Sequence, residues 1–334
     1  MNKLSFVFLL LLFSCTLDKD AIPVKLNGKA QGTYYSITYF DNENRDFQNE
    51  IDSILTSFDQ SVSLWVPNSV LSRVNRNDTS VIIDQYFEDN FQLAKQVSEA
   101  TNGAFDFTVA PLVKAWGFGF DDNKKVDKQI IDSLLLLVDY KNVELKNGKV
   151  KKSDSRITFD FNAIAQGFSV DVISAWLESK NVLNYLVDIG GEVKAKGSKP
   201  DGSFWKVGIE KPAQNKTDTR NLKAVVELKN SSIATSGNYR KYYEEDGIRY
   251  SHTIDPKLGY PVQHSLLSVS VLTNNTGLAD AYATSFMVWG FKKSRAFVES
   301  VPELEAFFIY SDASGNYQTY ATKGFQEIIT KEFE

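Results

Sequence analysis

Apolar positions along the chain change their period several times, and each change marks an element. Leu4 to Phe13 is an almost unbroken apolar run behind Lys3, with Ser5 the one exception. From Val24 to Phe40 the pattern predicts a strand pair or one long strand, interrupted by Gly28 and Gly32. Between Asn49 and Phe58 the spacing turns helical, with Ile51, Ile54, Leu55 and Phe58 on one face. Further helices are predicted over Phe87–Thr101, where Asn102-Gly103 supplies the stop, and over Gln129–Val138. Strands are predicted next at Asn142–Leu145, Lys149–Lys152 and Arg156–Asn162. In the last of these, Ile157, Phe159 and Phe161 alternate with Thr158, Asp160 and Asn162. A helix over Gly167–Ser179 precedes strands at Asn184–Lys196, Trp205–Glu210, Ala224–Lys229, Ser232–Ser236 and Ser268–Leu272, and Leu278–Phe291 is a strong helix. Polar Gln214–Arg220 reads as an exposed loop. Hairpin-like strands mixed with helices, without a regular parallel βαβ series, predict an α+β fold.

The first apolar run is too short for a bilayer, which needs about 20 residues, so it reads as the hydrophobic core of a signal peptide. It ends in Leu12-Phe13-Ser14-Cys15, which resembles the bacterial lipobox. The expected organisation is a signal peptide at 1–14, a lipidated Cys15 opening a polar tether at 15–23, and a folded body at 24–334. An ordinary secretory signal with a chance cysteine is the alternative. Cys15 is the only cysteine, so no internal disulfide can form. The expected location is the bacterial cell membrane, anchored by acyl chains (palmitate) on the periplasmic side, with the inner membrane preferred to the outer.

The formal net charge of −5, with no basic block, argues against nucleic acid as a partner. With no thiol in the body and only two histidines, His252 and His264, thiolate chemistry and a zinc site of the Cys/His kind are excluded. A metal here would need oxygen ligands, which favours magnesium or calcium.

Several segments could carry chemistry. Asp280 and Thr284 are four residues apart on a helix, so a carboxylate and a hydroxyl stack on one face and could share a hard cation. A helix-start Asp favoured by the dipole, beside a solvated Thr, fits the same spacing. Asp160 to Phe168 runs from a strand through a turn into a helix, an arrangement that presents backbone groups and a helix start to phosphate or metal. Gly167 could equally serve close packing. His252 adjoins the rigid turn Asp255-Pro256-Lys257-Leu258-Gly259-Tyr260-Pro261, and is the best general-base candidate unless it is a structural histidine. The double glycine in Val187-Asp188-Ile189-Gly190-Gly191-Glu192 would allow close approach of a ligand or another backbone.

Taken in order, these segments resemble the ApbE family, the FAD:protein FMN transferases. The matching stretches are Gly32-Thr33-Tyr34-Tyr35, Gly103-Ala104-Phe105-Asp106, Asp160-Phe161-Asn162-Ala163-Ile164-Ala165-Gln166-Gly167, Asp188-Ile189-Gly190-Gly191, His252 to Val262, and Ala279-Asp280-Ala281-Tyr282-Ala283-Thr284. The resemblance implies mixed sheets with flanking helices in a single large domain of two subdomains. It implies cleavage of FAD at its pyrophosphate, release of AMP, and transfer of FMN through a phosphoester to a Thr or Ser hydroxyl of another protein. Asp280 and Thr284, with the Ala163 carbonyl, would hold Mg²⁺, and His252 would take the acceptor proton, making His252 and Asp280 the catalytic pair. Flavin and adenine contacts would fall on Gln31, Trp65, Ala104, Phe105, Asp106, Asp160, Gln166 and Ile254. The family commonly has methionine where Gln31 stands, lysine or glutamate where Gln166 stands, and tyrosine near Trp65. Acceptors resemble a D-G-x-[ST]-[GS]-A-T pattern, absent from this chain, so transfer to a separate protein is expected. Flavin-carrying subunits of sodium-pumping quinone reductases and Rnf-type membrane complexes are the expected partners. FAD hydrolysis to FMN and AMP, a non-catalytic FAD-storing lipoprotein, and a solute-binding or adhesion lipoprotein remain as alternatives.

Overall fold

The computed structural model describes residues 22–118, 126–212, 221–238, 242–245 and 248–333. The expected signal peptide, Cys15, most of the tether and the loop expected at Gln214–Arg220 lie outside the described residues.

The first pattern resolves into a hairpin. β1 (Val24–Ala30) and β2 (Thr33–Phe40) pair antiparallel across the turn Gln31-Gly32, where φ is 53° and 73°. A two-residue hairpin turn needs this left-handed backbone to match the twist of its strands. Among the described residues, five α-helices come next: α1 (Gln48–Val62), α2 (Val70–Asn75), α3 (Gln85–Ala100), α4 (Ala110–Ala115) and α5 (Lys128–Leu135). A small hairpin, β3 (Val143–Lys146) and β4 (Lys149–Lys152), leads towards α6 (Ala165–Ser179). The run at Asn184–Lys196 is likewise a hairpin, β5 (Asn184–Ile189) and β6 (Glu192–Lys196), turning at Gly190-Gly191.

Then come β7 (Trp205–Glu210), β8 (Leu222–Leu228), β9 (Ser231–Gly237), β10 (Tyr242–Glu245), β11 (Ile248–Ser251) and β12 (Leu266–Thr273). The chain closes with α7 (Thr276–Trp289), α8 (Phe291–Val298), β13 (Glu305–Ser311), β14 (Tyr317–Ala321), α9 (Lys323–Ile328) and β15 (Ile329–Glu332). An eight-stranded sheet in the order β1-β2-β5-β6-β9-β12-β13-β14 forms the centre, and its strand pairs are antiparallel.

Packed elements lie on both faces of the sheet, while Lys25, Asn27 and Lys29 of the edge strand β1 stay exposed. α6 and α7 cover one, α6 over β5 and β6 and α7 over β9 and β12. The three-stranded sheet β15-β8-β7 and α9 cover the other. The period of two in β13 shows the division: Ala306 and Phe308 join the core under the helices, while Phe307 and Ile309 join the core under the small sheet. A third apolar layer packs α1 and α6 on β1, β2 and β5 through Ile51, Leu55, Ile173, Tyr35 and Ile37.

The alternating segment Arg156–Asn162 is not a strand. Its apolar residues face inward as the alternation predicts, but among the described residues no neighbouring strand bonds to it. The Asn75 side chain substitutes for one, donating to the Phe159 carbonyl at 2.9 Å and accepting the Phe159 N–H at 2.8 Å. Asp160 N–H donates to the Phe107 carbonyl at 2.8 Å. Phe159 and Phe161 stack edge-on or tilted against Phe107 and reach Phe91 and Phe87 of α3. The period of two therefore reports a buried extended segment held by side chains, and it delivers Asp160 and Ala163 to the start of α6.

Candidate active site

A cleft of about 1620 Å³ opens along the edge of the helices and the hairpin tips of the central sheet. That exceeds the 300–1,000 Å³ usual for drug-sized ligands and leaves room for a dinucleotide. It brings together the residues singled out along the sequence. Gln31 comes from the β1–β2 turn, Trp65 from the segment after α1, and Ala104, Phe105 and Asp106 from the loop after α3. Asp160, Ala163 and Gln166 come from the approach to α6 and its first turn, His252 and Ile254 from the turn after β11, and Asp280 and Thr284 from α7.

Glycines set the closest approaches. A Cβ on Gly167 would lie 2.4 Å from the Thr276 carbonyl oxygen and 2.8 Å from the Asp280 Cβ, so only glycine lets α6 meet α7 here. The Gly167 N–H donates to Asp280 Oδ2 at 3.2 Å. Gly190 sits at φ 66°, and a Cβ there would collide with the Gln166 amide. Gln166 Nε2 donates to the Ile189 carbonyl at 2.9 Å and to Glu192 Oε2. Its amide nitrogen is thus committed to the β5–β6 hairpin.

The remaining expected contacts differ in what they offer. Both oxygens of Asp106 are engaged: Oδ1 accepts from the Thr108 hydroxyl (2.6 Å) and N–H (2.9 Å), and Oδ2 accepts from the Tyr140 N–H (2.9 Å). Asp106 therefore shapes the loop that presents Ala104 and Phe105, both buried at the cleft wall. Trp65 is 58% exposed at the mouth, where a planar ring could cover its aromatic face. Both amide atoms of Gln31 are buried without a hydrogen-bond partner among the described residues, a costly state that a ligand's polar edge would relieve. His252 is half-buried with its ring edge-on to Phe118. The turn beyond it is fixed by Asp255 Oδ1, which accepts the N–H groups of Lys257 (2.8 Å) and Leu258 (3.1 Å), and by Trp116 Nε1 donating to the Gly259 carbonyl at 2.8 Å.

Electrostatics set the floor of the cleft apart. Burial pushes the Asp280 carboxyl well above the usual carboxylate range. Glu192 is pushed up by burial and by the neighbouring Asp280, and Asp160 and Asp188 are raised by burial. Asp188 and Glu192 flank the double glycine, but the sequence pattern assigned neither to the site. The signal was there: a Gly-Gly tip between strands carries its flanking side chains to the same end of the sheet.

Among the described residues, no three His, Cys, Asp or Glu side chains are arranged to hold a metal ion. The expected set needs only one carboxylate, Asp280, completed by the Thr284 hydroxyl and the Ala163 carbonyl. These are hard oxygen donors of the kind Mg²⁺ takes, and Thr284 Oγ1 is steadied by Ser236 Oγ at 3.3 Å. A cation beside Asp280 would also lower the cost of the surrounding carboxylates, so the residues fit the ion.

Known proteins share both the sequence and the fold of this chain. The model of the ApbE family matches residues 31–308. The FAD:protein FMN transferase of Vibrio cholerae is 34% identical, covering 97% of both chains, and that of Haemophilus influenzae is 35% identical, covering 94% of both. The solved structure of the flavin transferase ApbE from Vibrio cholerae superposes with a TM-score of 0.82 at 31% identity, over 92% of this chain and 99% of that one. The apo flavinyl transferase ApbE of Pseudomonas stutzeri gives 0.83 at 31% identity, over 94% and 98%. With a matching family model over most of its length, relatives above 30% identity and a shared fold, this chain belongs to the ApbE family.

Proposed function

We infer that the chain is an FAD:protein FMN transferase that works with Mg²⁺ and joins FMN by a phosphoester to a Thr or Ser hydroxyl of a separate acceptor protein. The observation that carries this reading is the meeting of Asp280, Thr284 and Ala163 with His252 in one cleft large enough for a dinucleotide. The acceptor oxygen forms a new bond to the FMN phosphorus, the bridging P–O bond of the pyrophosphate breaks, and AMP leaves. His252 takes the proton released by the acceptor hydroxyl. Asp280, Thr284 and the Ala163 carbonyl would hold the cation, which when bound offsets negative charge developing on the pyrophosphate. Gln31 offers its two unpartnered amide atoms to a ring edge, Trp65 offers a face for stacking, and Ala104, Phe105 and Ile254 supply apolar wall.

Acceptors with a D-G-x-[ST]-[GS]-A-T-like segment, carried by flavin subunits of quinone-reductase and Rnf-type membrane complexes, fit this chemistry. So does an anchor at Cys15 on the periplasmic side of the membrane, since it would hold the enzyme near them. The test is incubation with FAD, MgCl2 and an acceptor bearing such a segment. In-gel flavin fluorescence on the acceptor is the expected result. AMP release without it would instead mark an FAD hydrolase, and FAD retained without turnover would mark a binding protein. Mass spectrometry of the membrane-extracted chain should find a diacyl or triacyl group on Cys15, and an unmodified N-terminus there would refute the anchor.

A further inference from the structure

Asp171 lies one helical turn beyond Gly167 on α6, on the same face, and is 9% exposed. Its carboxylate is occupied on both oxygens. Oδ2 accepts the Gly277 N–H in the first turn of α7 at 2.9 Å. Oδ1 accepts from the Thr276 hydroxyl at 3.2 Å and from Lys194 Nζ at 2.8 Å. Thr276 Oγ1 lies 2.9 Å from Ser232 Oγ. Lys194 of β6 and Ser232 of β9 are direct cross-strand partners, so one rung of the central sheet closes the network.

This arrangement joins α6, α7 and two strands of the central sheet at one point. A carboxylate at a helix start satisfies N–H groups that have no partner within the helix and complements its dipole. α7 has its own cap, since Asn275 Oδ1 accepts the Leu278 N–H at 2.8 Å. Asp171 is a second cap, supplied by a different helix. A partly buried ion pair such as Asp171–Lys194 is a weak source of stability, because desolvation offsets much of the attraction. The bonds from Gly277 and Thr276 to the same carboxylate tie α6 to α7 at one register. Asp280 stands one turn beyond Thr276 and Gly277 on α7, and Ala163 stands just before α6. A slide or tilt between the two helices changes the spacing of the Asp280 carboxylate and the Ala163 carbonyl.

We propose that Asp171 is a positioning residue for the cation site, setting the register of α6 on α7 and so the distance between Asp280 and the Ala163 carbonyl. The proposal rests on the metal-site reading above. Asp171 touches neither substrate nor ion and acts through the two helices.

The test compares the purified full chain with Asp171→Asn and Thr276→Val, reading thermal unfolding in the presence of FAD across a MgCl2 titration. Asp171→Asn keeps the shape but loses the charge and one acceptor. Its MgCl2 midpoint should rise about tenfold, the lower end of the affinity loss caused by removing groups that orient a metal ligand. FAD affinity measured in EDTA should stay within about twofold, and transfer should recover at high MgCl2. Thr276→Val removes one link isosterically and should raise the midpoint about threefold, which decides the matter if Asp171→Asn does not fold. A lower unfolding temperature with the MgCl2 midpoint unmoved in the folded variants would reduce Asp171 to a structural cap and overturn the proposal. A wild-type chain whose unfolding temperature ignores MgCl2 altogether would instead overturn the metal site itself.

Discussion

Replacing Gly167 by alanine adds one methyl group at the contact of α6 and α7. The new Cβ would lie 2.4 Å from the Thr276 carbonyl oxygen and 2.8 Å from the Asp280 Cβ. Ordinary contact requires about 3.5 Å, and both neighbours are backbone or the root of a side chain, so neither can swing aside. The helices must part by roughly 1 Å. Overpacking of this kind costs about 1–3 kcal/mol. Alanine returns at most ~1 kcal/mol in helix propensity, less in a first turn. A net loss of ~2 kcal/mol, with an unfolding entropy of about 2.1 cal/mol/K per residue over roughly 310 residues, lowers Tm by about 3 °C. The fold should survive.

The site should not. The same movement lengthens the 3.2 Å bond from the Gly167 N–H to Asp280 Oδ2 and separates Asp280 from Ala163. Metal–ligand distances tolerate about 0.2 Å, and a misplacement of about 1 Å at a reacting centre can cost 100-fold. Differential scanning fluorimetry and the acceptor fluorescence assay together measure both effects. The expected pattern is a fall of about 3 °C with transfer reduced about 100-fold or more. Transfer within threefold of wild type, in a variant whose Tm has fallen as expected, would show that the helix contact does not set the site.

Other contacts give three further expected outcomes. Asp280→Asn should abolish MgCl2-dependent transfer while leaving Tm unchanged or higher, because it removes a buried carboxylate whose charged form is disfavoured by burial; a marked fall in Tm would show that the charge is compensated within the chain. Asn75→Ala removes both hydrogen bonds to the Phe159 backbone, leaves that buried N–H and C=O unpaired, and should cost ~2–3 kcal/mol by urea unfolding; a loss under about 0.5 kcal/mol would mean the phenylalanine packing alone fixes the segment. Lys152 is half-buried, and burial lowers its pKa to about 8. Between there and the ordinary 10.5 the unfolded chain holds a proton that the folded chain has released, so stability should rise with pH across that window, by at most ~3 kcal/mol. Urea midpoints at pH 7.5 and 10 should show the rise in wild type and a smaller one in Lys152→Met.

Periodicity located most of the elements that frame the cleft. β7 runs from Trp205 to Glu210 as its pattern predicts, and α6 and α7 begin within two residues of the predicted starts. The Val24–Phe40 pattern left a strand pair and one long strand both open, and the Asn184–Lys196 pattern hid a hairpin, because Gln31-Gly32 and Gly190-Gly191 interrupt alternation without ending it. Alternation also misassigned Arg156–Asn162, since a period of two records which side chains are buried and not what bonds the backbone. There the partner is one amide, Asn75, eighty-four residues away from Phe159 in sequence. The short elements α2, α4 and α9 have too few turns for a periodic signal.

The site residues divide along the same line. Asp280 and Thr284 are legible because a helix brings i and i+4 together wherever it sits. Asp188 and Glu192 are not, because their place in the same cleft as Asp280 depends on which strand neighbours which. β6 lies between β5 and β9, α6 spans β5 and β6, and α7 spans β9 and β12. This order places the β5–β6 tip under the junction of the two helices, where Gln166 bonds Glu192 and Gly167 bonds Asp280. Asp171 is hidden for a stronger reason. Its partners Lys194, Thr276 and Gly277 come from a strand and a different helix, and at the sequence level it is an ordinary polar residue in the middle of a helix. Local spacing can nominate the groups that do chemistry. The groups that hold them at the right distance become visible only when the sheet order and the helix register are known.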